Sequence, residues 1–164
     1  MARHIHFVDV EAPGKTVKGQ PFNNKVIKGD FFEVSISYPA DHRVKLPLRQ
    51  MASLQVRSKA ENSIGFKILR WELKNKDGNT YEPLINFKKD KTKLAEILQK
   101  EETIPHRLSR MFTAYYDIPP SVKHITIDIE IELTSPVGEK VLVKESIPLK
   151  QATFTTSFFE GLLH

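Results

Sequence analysis

From His124 to Leu133 the chain alternates apolar and polar side chains without a break. Successive side chains of a β-strand point to opposite faces, so Ile125, Ile127, Ile129, Ile131 and Leu133 form one stripe. Thr126, Asp128, Glu130 and Glu132 form the other, which is expected to face water. A helix would scatter the isoleucines around its circumference and restrict their branched side chains. The pattern predicts a half-buried antiparallel strand. Thr134 to Glu139 reads as a turn, and Lys140 to Ile147 as the return strand. Setting Thr134 against Lys140 brings Leu133 beside Val141, Ile131 beside Val143, Ile127 beside Ile147 and Glu130 beside Lys144. A one-residue slip would oppose isoleucines to polar side chains, so the register is fixed. Ile129 against Glu145 is the one poor pair.

The same period recurs elsewhere. His4 to Val10 reads as a first strand. Phe32, Val34, Ile36 and Tyr38 share a face in a second, ended by Pro39. Ala52, Leu54 and Val56 mark a third. From Ile64 to Lys74 the buried parity switches between Ile68 and Leu69, which predicts a bulge or a strand that bends between two sheets. Asn75 to Asn79 carries an Asp-Gly hairpin signal. Tyr81 to Phe87 reads as its return strand, interrupted at Pro83. Ala114, Tyr116 and Ile118 begin another strand, stopped by Pro119-Pro120.

Leu94, Ile97 and Leu98 instead lie at helical spacing, and Leu108, Met111 and Phe112 continue an apolar face. Residues 90–112 are therefore expected to form a helical insertion. Phe158, Phe159, Leu162 and Leu163 would share a helical face at the end of the chain. About eight short strands with proline-rich turns predict a mainly β fold, an antiparallel immunoglobulin-like β-sandwich over residues 1–164 with that insertion. The tryptophan strand suits such a domain, although the flanking cysteines of the immunoglobulin pattern are absent.

Composition changes this picture little. The 164 residues are enough for one core. No apolar run approaches the roughly 20 residues of a membrane-spanning helix. The first residues lack an apolar signal-peptide core, so a cytoplasmic chain is expected unless a leader has been removed. With no cysteine, disulfides, thiol catalysis and cysteine-ligated metals are excluded. Lys and Arg number 25 against 20 Asp and Glu, a net charge of +5. That mild excess is spread over many loops, which argues against nucleic acid as a partner. The dense cluster is Lys88, Lys89, Lys91 and Lys93, a solvated approach to a helix or a contact for an anionic surface.

Candidate chemistry is sparse. His4 and His6 sit on one side of a strand at a spacing that can hold copper or zinc, with His42, His106 or His124 as a third ligand. The acidic row Asp128, Glu130 and Glu132 offers oxygens on one flat side only, too few directions for calcium. It also lacks an apolar pocket to raise one carboxyl as a hydrolase would need. No nucleophile motif and no phosphate-cradling glycine loop occurs, and no cofactor is expected. Trp71 reads as core rather than as a ligand wall. The apolar tail, Phe154, Phe158, Phe159, Leu162 and Leu163, is costly to expose and is the expected contact with a protein partner or a second copy, in a docking segment over residues 152–164. The expected function is non-enzymatic protein recognition or assembly. The alternatives are metal handling through His4 and His6, and a small acid/base hydrolase.

Overall fold

The computed structural model describes residues 2–10, 16–17, 20–21, 24–41, 50–85 and 92–156. The strands are β1 (Ala2–Asp9), β2 (Thr16–Val17), β3 (Gln20–Pro21), β4 (Asn24–Lys28), β5 (Phe32–Ser37), β6 (Ala40–Asp41) and β7 (Gln50–Ser58). They continue as β8 (Ile64–Asn75), β9 (Leu84–Ile85), β10 (Thr92–Lys93), β11 (Glu101–Ile104), β12 (Ser109–Tyr116), β13 (His124–Thr134) and β14 (Lys140–Thr156). A four-residue helix, α1 (Leu94–Ile97), follows β10. No helix among the described residues is long and apolar enough to cross a membrane.

Twelve strands join one antiparallel sheet in the order β10-β9-β12-β7-β6-β1-β14-β13-β8-β11, with β5 beside β7 and β4 outside β5. β2 and β3 pair with each other. The sheet curls back on itself. Phe66 of β8 and Phe112 of β12 lie far apart in strand order, yet their rings meet edge to face at 6.3 Å. The corner is at β1, which pairs along its length with β14 and through His6 with Ala40 of β6. Phe7 N–H also donates to the Pro39 carbonyl at 3.0 Å. A corner strand has interior on two sides, so adjacent residues His6 and Phe7 are both buried.

The long hairpin has the expected register: Thr134 faces Lys140, Ile131 faces Val143, Ile127 faces Ile147 and Glu130 faces Lys144. Ile125, Ile127, Ile129, Ile131 and Leu133 are all buried, as are Trp71, Leu54 and Val34. The parity switch in β8 is a bulge. Glu130 pairs with Arg70 and Ile131 with Ile68, so Leu69 is the extra residue. A bulge frees backbone carbonyls, and Gln99 takes up both. Its N–H donates to the Ile68 carbonyl at 2.9 Å and its Nε2 to the Leu69 carbonyl at 3.1 Å. Gln99 reaches them from a left-handed backbone, φ 65°.

The expected helical insertion over residues 90–112 is corrected. Among the described residues of that stretch only α1 is helical, and residues 101–104 and 109–116 are strands. Gln99 and Arg107 have positive φ, which no helix continues through. Between and after them the pattern is alternating: Glu102 and Ile104 turn inward on β11, Phe112 and Ala114 on β12. The open edges of β8 and β7 supply hydrogen bonds that a helix there would forgo, and pairing overrides local spacing. The return strand after the 75–79 turn is also shorter than expected. Thr80 makes one bridge to Lys74, and after Pro83 the chain leaves to pair as β9 with β12. β11 takes the vacated edge of β8.

Of the C-terminal stretch, residues 152–156 belong to β14, which pairs with β1. Phe158, Phe159, Leu162 and Leu163 lie outside the described residues, as do Lys88, Lys89, Lys91 and His42.

Candidate functional site

Three faces of the sheet carry polar side chains. The first is the outer face of β8, β13 and β14. Lys144 meets Glu130 at 3.4 Å, Lys140 meets Glu132 at 3.5 Å, and Arg70 meets Glu72 at 3.1 Å. Asp128 lies against Lys74 at 3.0 Å and Arg70 at 3.6 Å. The expectation that Asp128 faces water is corrected, since it is 8% exposed. Burial alone would raise its carboxyl, but hydrogen bonding from Ser146 and the charges of Lys74 and Arg70 hold it below the usual carboxylate range. A depressed, paired carboxylate is poorly suited to proton transfer at neutral pH. The row expected to be acidic is thus a ladder of closed ion pairs.

The second face is the inner corner near β4. Lys25 donates to Glu145 Oε2 at 3.0 Å, and the Tyr38 hydroxyl donates to Asp9 Oδ2 at 3.3 Å. Burial first, then the Asp9 charge, pushes the Tyr38 hydroxyl well above its ordinary value, so it stays a donor. His4 lies in β1 with its backbone paired to Phe154 of β14. His6, two residues on, is 1% exposed. Among the described residues no group of three or more histidine or carboxylate side chains could hold a metal ion. Trp71 is 3% exposed and belongs to the core. Lys93 is exposed on β10.

The third is a cleft of about 370 Å³ beside the corner strand. Ile5 of β1, Asp41 of β6, Gln50 of β7 and the segment Asp117–Pro120 after β12 line it. Pairing brings these together: Asp41 faces Gln50, and Gln50 faces Tyr116. Asp41 is fixed because its Oδ2 accepts the Ile5 N–H at 2.7 Å. The proline wall is fixed from behind. Gln151 Nε2 donates to the Pro120 carbonyl at 3.1 Å and the Val122 carbonyl at 3.2 Å, and Lys123 Nζ donates to Pro120 at 3.0 Å. Gln50 is 3% exposed, and its Oε1 has no hydrogen-bond partner. A buried carbonyl left in this state costs about 1–3 kcal/mol.

Sequence reasoning missed this cleft, although one signal was there. Gln50 occupies the inward parity of Ala52, Leu54 and Val56. A polar residue at a core position of a strand asks for a partner or a function. Its neighbours in the cleft come from distant parts of the chain, and nothing local links them.

No protein-family model and no curated protein matches this chain. Solved structures similar to it include two structural-genomics targets. A Northeast Structural Genomics Consortium target called SoR45 is 15% identical, with 84% of this chain and 94% of that one covered and a TM-score of 0.42. The yjhA protein from Bacillus subtilis, another target of that consortium, is 16% identical, with 73% and 95% covered and a TM-score of 0.41. Neither name states an activity, and likeness at this level adds nothing to what the strands themselves show.

Proposed function

We propose that this chain is a non-enzymatic recognition module. In this reading the curled sheet works as an immunoglobulin-like two-layer scaffold and binds another protein at the end where β1, β6 and the close of β12 meet. The observation that carries the reading is the cleft at Gln50: rigid apolar walls, two carboxylates, and a buried acceptor without a partner. On the outer face of β8, β13 and β14 the charged side chains are matched with one another, as in the Asp128 ladder. Matched charges stabilise a surface and leave little for a ligand. The Phe66–Phe112 contact supports the two-layer description.

The test is capture followed by reconstitution. The full chain is immobilised, bound proteins are recovered from native extract, and each candidate is purified and measured by calorimetry. A purified partner with a dissociation constant at or below about 10 µM, protecting amides of β1 and residues 117–120 from exchange, is the expected result. If no purified candidate binds, the reading fails.

A further inference from the structure

We infer that the cleft at Gln50 is a receptor for the ammonium end of a lysine side chain carried by a partner protein. The inference rests on the recognition reading and names the chemistry of its contact. Three features converge on that group. First, Asp41 and Asp117 bring carboxyl groups to the cleft, and Gln50 brings an amide whose oxygen has no hydrogen-bond partner among the described residues. A carboxylate ligand would be repelled, and a neutral alcohol would gain only hydrogen bonds. An ammonium has three donors around a point charge and no acceptor, so it suits several oxygens approaching from different sides. Second, Ile5, Ile118, Pro119 and Pro120 supply apolar walls. Lysine buries its methylene stem along such walls while its head reaches polar atoms. Third, the cleft is held in shape before any ligand arrives. Ile5 holds Asp41, and Gln151 with Lys123 holds Pro120. A preformed site loses less ordering entropy on binding.

The unpartnered Gln50 oxygen is what separates this cleft from an ordinary acidic groove. Gln50 lines the cleft, and this oxygen has essentially no solvent contact. A donor in the cleft reaches it through a turn of the Gln50 amide. A lysine head delivers a donor at the end of a slim stem, whereas the planar fork of arginine pairs best side-on with a single carboxylate.

The experiment is a ¹H–¹⁵N NMR titration of the full-length protein with n-butylammonium chloride, n-butanol and sodium butyrate, followed by N-acetyl-lysine methylamide and its Nε-acetylated form. Saturable shifts confined to Ile5, Asp41, Ile118 and the Gln50 side-chain amide are expected with butylammonium and the lysine amide. Their dissociation constants should be on the order of 1–10 mM. Butanol, butyrate and the acetylated lysine should bind at least about tenfold more weakly. Asp41→Asn keeps the acceptor for Ile5 and should weaken butylammonium about fivefold or more. Gln50→Leu should do the same, with the backbone spectrum and melting temperature showing that both variants fold. Absence of saturation, equal shifts with butanol, or unchanged affinity in both variants overturns the inference. Binding of butylammonium without binding of the lysine amide overturns the lysine assignment. None of these results decides whether a partner protein binds, because the capture and calorimetry experiment reads that separately.

Discussion

Glu145 and Gln50 are polar residues at positions where an apolar one is expected, and the chain treats them differently. Glu145 lies on the inward side of β14 between Val143 and Ile147. Gln50 lies on the inward side of β7, two residues before Ala52. Glu145 is answered from 120 residues away by Lys25 at 3.0 Å. The Gln50 oxygen is answered by nothing among the described residues. At the Glu145 corner the polar group closes a gap between β4 and β14. At the Gln50 corner a similar intrusion lines a cleft and closes no such gap. An inward polar residue is thus a clasp or a contact, and its partner list decides which.

The comparison assumes that the Glu145 corner is tightly packed. Ile129 tests that most severely, because it faces Glu145 on one side and Trp71 on the other and is fully buried. Ile129→Ala should cost about 2–5 kcal/mol in urea unfolding, through lost transfer energy and a cavity that cannot collapse between two strands. A cost below about 1 kcal/mol would mean the corner is loose, and the contrast with Gln50 would lose its basis.

The clasp itself comes next. Lys25→Met leaves Glu145 inward-facing without its counter-charge, near the Asp9–Tyr38 pair. The expected loss is about 1–3 kcal/mol, toward the lower end because the side chains of Lys25 and Glu145 are 40% and 27% exposed. Adding Glu145→Leu should return most of it, since two apolar groups of similar size replace the pair. If the double variant is as unstable as the single one, Glu145 is not what Lys25 serves.

How much of this was legible follows from range. The hairpin register, the bulge at Leu69 and the burial of Trp71 were legible because period-two alternation and its interruption are local signals. The mismatch of Ile129 with Glu145 was legible too, but its remedy was not, because Lys25 stands in the short strand β4, whose sequence has no mark pointing to β14. Residues 101–112 were misread because Leu108, Met111 and Phe112 at helical spacing resemble a helix until one knows that two strand edges await partners. The cleft was illegible as a whole. Ile5, Asp41, Gln50 and Pro120 meet only once β1 has turned the corner, and Gln50 alone carried a readable clue.

Asp128 marks how a polar residue on the outer face differs from both corners. Its carboxyl is held below the unfolded value, so the linked stability is present above about pH 4 and is lost as pH falls through the folded pKa. Asp128→Asn should cost about 1–2 kcal/mol at pH 7. The gap to the unaltered protein should shrink as pH falls below about 4 toward the lowered folded pKa of Asp128. A gap that is flat from pH 7 to pH 3 would show that shape, and not charge, holds this residue among Lys74, Arg70 and Ser146.

The smallest expected change is the most diagnostic, because its sign is the opposite of the others. Gln50→Leu replaces a buried acceptor lacking a partner with an apolar group of similar size, at a position whose strand neighbours Ala52 and Leu54 are core. Removing an unsatisfied polar atom should raise stability by about 0.5–1.5 kcal/mol in urea unfolding. The same change should weaken butylammonium in the cleft. Glu145→Leu alone should behave in the contrary way, since it strands Lys25 and gains nothing at any ligand site. A residue that costs stability and is retained for contact gives this opposed pair of effects, as recognition and catalytic sites commonly do. If Gln50→Leu destabilises the protein as Lys25→Met does, then Gln50 is a clasp whose partner lies within the chain, and the two corners are alike.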